Sequence, residues 1–441
     1  MISLVRHRVI AAVVLATVLK PGDPLAAQGP PPSSEPPQPE RVEPGPATPP
    51  TAEPPAAEPL AFDAATGPCC GAAEPGFGDL AWPETGPCGD SARLWLRGQY
   101  LLWWTKGNSL PALVSSSVSG TAWDAAGVPG TPGFDVLFGS QTIANEDRGG
   151  GWLTLGYWLD DRRTWGLQVD WFLAGDDHGP GRFAAESEGV PILARPFHDA
   201  ALGQPAAAKV AFPEILSGAV AVTSSSELDS GGLLLRRLWR SGSRGRVDLL
   251  GGYRYFSFRE DLTITERLKA TARIGDWDAG TMQDSWDSFT TDNDFHGGEL
   301  GLNAEFYRGP WALNLVAKLA LGNVHQEVKI DGSTTIVTPG PNSQTDESAG
   351  GLLSQPTNIG YRSRNEFAVL PEAGVNLQYN VTEQFSLTLG YTLVCFNRVL
   401  RTGDQIDTAI DLTQPAEHPA PLLRDTGFWA QGISFGAQLA R

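Results

Sequence analysis

The stretch Trp311–Gly322, WALNLVAKLALG, alternates without a break. Trp311, Leu313, Leu315, Ala317, Leu319 and Leu321 share one face, and Ala312, Asn314, Val316, Lys318, Ala320 and Gly322 share the other. A period of two is the period of a β-strand, not of a helix. One face is apolar throughout, and the other is small or polar with a lysine at its centre. Such a strand belongs either to a sheet packed on a protein core or to a barrel whose apolar face meets lipid. Recurrence decides between them.

The same alternation returns in Arg93–Trp104, Trp152–Leu159, Arg163–Ala174, Arg246–Phe258, Asp294–Tyr307, Asn365–Asn380, Phe385–Val399 and Gly427–Ala440, and less cleanly in Glu227–Trp239. With the opening stretch, continued towards Ile330, these make ten segments. Their connections alternate in length. Short turns lie near Asp160–Arg163, Arg240–Gly245, Arg308–Pro310 and Asn380–Glu383. Long loops lie at Thr105–Gly149, Gly175–Ser226, Arg259–Asn293, Asp331–Arg364 and Thr402–Thr426. Soluble domains rarely carry five such loops, whereas outer-membrane barrels pair short periplasmic turns with long outer loops. The expected fold is therefore all-β: an antiparallel up-and-down transmembrane barrel of about ten strands. The second long loop has room for another hairpin, which would make twelve.

The chain has 441 residues and a net charge of 32 − 50 = −18, a balance that argues against nucleic acid, whose phosphates attract basic surfaces. Two methionines and six scattered histidines argue against a metal or redox centre, so no cofactor is expected. Arg6, His7 and Arg8, the apolar Val9–Leu19 and Leu25-Ala26-Ala27 read as a secretory signal over residues 1–27. Residues 28–90 read as a disordered Pro/Ala-rich periplasmic linker with a cysteine cluster, in which Cys88 can pair with Cys69 or Cys70. The barrel domain is expected over 91–441. Cys395 falls on an apolar strand face.

Lysine or arginine facing lipid near mid-membrane costs roughly 2–4 kcal/mol in a barrel. Arg97, Arg254 and Lys318 are therefore expected to face the lumen, together with Asp170, Asp248, Glu299, Glu305 and Glu372. They form either a neutralising network that plugs a narrow barrel or a selectivity ring around a channel. Barrels of about eight strands are filled by their own side chains and aqueous pores open near sixteen, so ten strands favour a plug or narrow path over a wide pore. Asp276, Asp278, Asp284, Asp287, Asp292 and Asp294 read as one solvated acidic loop, and Asp404 and Asp407 as residues that order another. Trp103, Trp104, Trp158, Trp165, Trp171, Trp311 and Trp429 near strand ends suit an interfacial girdle. The G-x-S-x-G match Gly432-Ile433-Ser434-Phe435-Gly436 lies within the alternating segment Gly427–Ala440 and not at a strand-to-helix turn, and no P-loop occurs, so an enzyme is not expected. A hydrolase would need a serine beside His296 or His325, and none is placed to serve.

In sequence the chain resembles β-barrel porin family seven, bacterial outer-membrane proteins. The segments that carry the resemblance are LRGQYLLWWTKG, LGYWLDDRRTWGLQ, ILARPF, LLGGYRYFSF, DSFTTDNDFHGGELGL, AKLALGNVHQEVKIDG, NIGYRSRNEFAVLPEAGVNL, LGYTLVCFNRVLRTGDQID and WAQGISFGAQ. They run in order from about Arg93 to Arg441. The closing Leu439-Ala440-Arg441 departs from the aromatic finish common in barrels. The resemblance implies a barrel in the outer membrane and no known substrate; outer-membrane lipid is the expected partner, and small solutes or ions are candidates.

Overall fold

The computed structural model describes residues 93–143, 147–176, 182–340, 343–411 and 417–441. The signal, the linker and the pairing of Cys69, Cys70 and Cys88 lie outside them. Ten strands form the wall: β1 (Leu94–Thr105), β2 (Asp147–Trp158), β3 (Trp165–Asp176), β4 (Leu216–Gly242), β5 (Gly245–Ala270), β6 (Met282–Arg308), β7 (Trp311–Thr338), β8 (Gly360–Asn380), β9 (Phe385–Leu400) and β10 (Asp425–Ala440). Each is antiparallel to the next, and β10 returns to β1 with Tyr100 opposite Phe435, so the ring closes. Closure gives every strand of the wall a paired neighbour on both sides, as a hydrocarbon environment demands. Two short strands, Arg182–Ser187 on β4 and Gln344–Ala349 on β7, bring the sheet to twelve strands without joining the ring of ten.

The short turns are built by local chemistry. Asp160 accepts the amides of Thr164 and Trp165, both at 2.8 Å. Gly309, at φ 58, supplies the left-handed residue that the hairpin between β6 and β7 needs.

Strands β4 to β7 are longer than their sequence suggests, at 26 to 28 residues. Much of the expected long loops Gly175–Ser226, Arg259–Asn293 and Asp331–Arg364 is strand. The reason lies in a change of polarity along each strand. On β7, the outward face runs Trp311, Leu313, Leu315, Ala317, Leu319 and Leu321, then turns polar at Asn323, His325, Glu327 and Lys329. The inward face does the opposite: Asn314 and Lys318 give way to Val324, Val328 and Ile330. On β5, Leu249 and Tyr253 point out below, and Leu262, Ile264 and Leu268 point in above. The lower half is patterned for lipid and the upper half for water.

From Trp311 to Leu321 the apolar face covers ~33 Å of strand at ~3.3 Å per residue, or ~25 Å of height at a tilt of about 40°. That is the thickness of a barrel's lipid belt. Leu315, exposed at mid-belt, should tolerate no charge. Leu315→Arg is expected to cost about 2–4 kcal/mol in urea unfolding from liposomes, and an unchanged midpoint would argue against lipid contact there.

The girdle expectation needs correction for Trp103 and Trp158. Both are buried, on the inward face, because they share parity with Leu101 and Thr154 rather than with the exposed residues of their strands. The single acidic loop is likewise corrected. Only Asp276 and Asp278 lie between β5 and β6, whereas Asp284, Asp287, Asp292 and Asp294 are on β6, and Asp287 is fully buried.

At the long-loop end, three loops contribute a second, inner sheet. Gln204–Ala211, Ile192–Asp199, Val114–Ser117 and Phe134–Phe138 pair in that order, and Ala409–Ile410 joins Ile192–Asp199 in parallel. Its Val114, Leu193 and Val210 pack with Val220, Val222, Leu262, Ile264, Phe289, Val328 and Ile330 of the wall. No helix among the described residues is long and apolar enough to cross a membrane.

Candidate functional site

The bore is layered from the short-turn end upward. At the short-turn end is a polar vestibule of about 710 Å³, lined among others by Trp95, Arg97, Gln168, Arg236, Asn376 and Gln438. Its walls depend on inward alternation from every strand. Gly156 makes room for Trp95, since a Cβ there would fall 2.1 Å from the indole.

Charges fill the next two levels. In the outer tier, Arg236 donates to Asp248 at 2.7 Å and to Glu305 at 3.4 Å, and Arg246 donates to Asp248 at 2.8 Å. In the inner tier, Lys318 stands 3.5 Å from Asp170 and 3.2 Å from Glu372. Arg254 stands 3.0 Å from Glu372 and 3.7 Å from Glu299. Lys318 on β7 and Asp170 on β3 are four strands apart in the ring, so this pair crosses the bore. Both oxygens of Glu299 and Nε of Arg254 have no hydrogen-bond partner among the described residues. Arg97 is paired differently from the other cations of the bore. Its Nε and Nη2 both donate to Gln438 Oε1, at 3.0 and 2.7 Å.

Above the charges lies a septum of aromatic rings. Trp152, Trp103, Phe172, Phe256, Phe396 and Phe295 form a chain of contacts with centroids 5.2 to 6.3 Å apart. Phe256 on β5 and Phe396 on β9 meet at 5.4 Å although three strands lie between them. Leu101, Leu228, Val324, Leu370 and Val394 fill the gaps, all buried. Above the septum, Arg401 grips Glu260 with two bonds of 2.8 and 2.7 Å, donates to the Lys106 carbonyl at 2.9 Å, and lies over the rings of Phe258 and Phe428. This clamps two loops to β5.

Higher still, Arg195 of the inner sheet donates to Asp287 at 2.7 Å and to Glu266 at 3.3 Å, all three buried. Burial works against the Arg195 charge, but Asp287 and Glu266 outweigh it and raise its pKa. Burial likewise pushes the Glu266 carboxyl up, with Arg195 opposing. Asp287 also accepts the amides of Leu353 and Ser354, at 2.9 and 2.8 Å.

All eight charged residues singled out in the sequence lie on inward faces. Asp170, Arg254, Glu299, Lys318 and Glu372 meet in one cluster, Asp248 and Glu305 meet in the tier below, and Arg97 has no carboxylate within 4.0 Å among the described residues. Sequence reading missed Arg236 and Arg246. Arg236 sits in LLLRRLWR, where leucines occupy both faces and a bulge at Leu238/Arg240 breaks the parity. It also missed the septum, although Phe172, Phe256 and Phe295 share parity with Asp170, Arg254 and Glu299. His296 and His325 point outward above the belt, His296 to Tyr253 and His325 to Asn365 and Glu327, with no serine among those partners. Asp407 accepts the amides of Ala409 and Ala420, and Asp404 lies in the 3-10 turn Gly403–Gln405. Among the described residues no group of three or more His, Cys, Asp or Glu is arranged to hold a metal.

The family described as Putative beta barrel porin-7 matches residues 95–440. No curated protein matches the chain. Among solved structures, the outer membrane protease OmpT from Escherichia coli is 8% identical, with 82% of this chain and 99% of that one covered, at a TM-score of 0.36. The P. putida toluene transporter TodX is 9% identical over 80% of this chain and 90% of that one, at 0.19. A Pseudomonas aeruginosa FadL homologue is 9% identical over the same shares, at 0.21. Scores at this level carry no argument about activity.

Proposed function

The chain belongs to the Putative beta barrel porin-7 family, and we propose on that footing that it is an outer-membrane barrel whose bore is shut. The short turns and the vestibule face the periplasm in this reading, and the long loops face outward. Residues 1–27 are the export signal and 28–90 the periplasmic tether. The observation that carries the reading is the contact of Phe256 with Phe396 across the bore, at 5.4 Å, within a layer whose other members are buried except the partly buried Trp152. A layer of edge-to-face and tilted rings offers an ion no ligand to replace its water, and its buried side chains leave a solute no path.

Planar bilayers test this. The wild type is expected to be silent, and Phe256→Ala with Phe396→Ala is expected to give discrete conductance steps. Steps in the wild type would overturn the closed reading. A second reading, a narrow channel with a charged lumen, is favoured by the family and by the ion pairs that cross the bore. In it the septum moves aside and Arg254, Lys318, Asp170, Glu299 and Glu372 form the constriction, with Arg97, Asp248 and Glu305 lining the approach.

A further inference from the structure

The charges of the bore balance in number but not in place. Along the two charged tiers and the vestibule wall, five cations (Arg97, Arg236, Arg246, Arg254 and Lys318) stand with five carboxylates (Asp170, Asp248, Glu299, Glu305 and Glu372), and Arg163 and Glu383 of the short turns offset each other at the vestibule mouth. The inner tier holds two cations and three carboxylates, a net of 2 − 3 = −1. The outer tier with Arg97 holds three cations and two carboxylates, a net of 3 − 2 = +1. The surplus positive charge is that of Arg97, and it stands at the wall of the open vestibule.

Arg97 is equipped for more than its present partner. Nε and Nη2 share one acceptor, Gln438 Oε1, which leaves Nη1 without a hydrogen-bond partner among the described residues. The Trp95 ring lies 5.8 Å from the guanidinium carbons of both Arg97 and Arg236. Arg236, itself buried, keeps Nε without a hydrogen-bond partner among the described residues. Gln99 and Asn376 line the same cavity. A planar fork that is always charged, beside the Asn376 amide and a second guanidinium, is the chemistry that recognises a carboxylate or a phosphate.

We infer that the vestibule binds a small organic or inorganic anion, carboxylate or phosphate, with Arg97 as its principal ligand. The inference rests on the vestibule being open at the short-turn end, as proposed above, but not on the septum being closed. The anion can come free from solution or as a phospholipid headgroup at the vestibule mouth.

Isothermal titration calorimetry on the full chain in phospholipid-free micelles tests it, with inorganic phosphate and succinate as probes. A parallel titration with phosphatidylglycerol in mixed micelles separates the headgroup from the free solute. Saturable binding is expected for at least one probe, weakened at least ten-fold by Arg97→Gln and in part restored by Arg97→Lys. Absence of binding by all three probes overturns the inference, as does equal binding by Arg97→Gln. If Arg97→Gln does not fold, Gln438→Leu carries the test. Freeing two N–H groups of Arg97 should tighten binding several-fold, and weaker binding overturns the inference. A barrel that conducts yet binds anions refutes only the closed septum. A silent barrel that binds none refutes only the anion site.

Discussion

Lys318→Met is expected to lower the stability of the barrel in liposomes by about 3–5 kcal/mol, the usual cost of removing one partner from a buried ion pair. The lysine faces Glu372 at 3.2 Å and Asp170 at 3.5 Å, and each side chain is buried. Without it, Arg254 alone faces three carboxylates, and the tier goes from −1 to −2. Urea unfolding measures the loss. Adding Glu372→Gln to Lys318→Met should recover much of it, because the two changes act on one network and cannot add. A loss under about 1 kcal/mol would mean that water already screens the cluster, as it does exposed pairs. That outcome would also weaken the picture of a dry septum just above.

Arg195→Met should have an effect of similar size in a different place. Arg195 is the inner sheet's charged link to the wall, and its loss leaves Glu266 and Asp287 buried without it. The same ~3–5 kcal/mol applies, now to the docking of the inner sheet. At about 1.4 kcal/mol per ten-fold, amide exchange over Ile192–Ala211 should accelerate by two to three orders of magnitude. The ring should hold, since none of its pairings uses Arg195, so protection in β8 to β10 should stay as it was. Equal acceleration in ring and inner sheet would show that they unfold together. No acceleration would show that apolar packing alone seats the sheet.

The lower barrel was legible because its signal is local. Alternation in WALNLVAKLALG needs no partner to be read, and the two-residue hairpin at Gly309-Pro310 announces itself. The upper barrel carried the same period in opposite phase. In LTITERLK, Leu262, Ile264 and Leu268 alternate with Thr263, Thr265 and Arg267, yet the abundance of polar residues disguised a strand as a loop. The site divides in the same way. That Lys318 opposes the leucines of its own strand follows from parity. That it meets Asp170, 148 positions earlier in the chain, follows only from closure of the ring. The septum is a product of closure too: each ring looks ordinary on its strand, and the layer exists only when six strands face one another.

The reversal of polarity along β4 to β7 has a consequence for how the molecule sits. Lifting it by one turn of the pleat would strand Leu321 in brine, and sinking it would drown Glu327 in oil. The protein carries its own waterline, and a depth label placed on Asn323 should read the same in thin and thick bilayers while the bilayer bends to meet it.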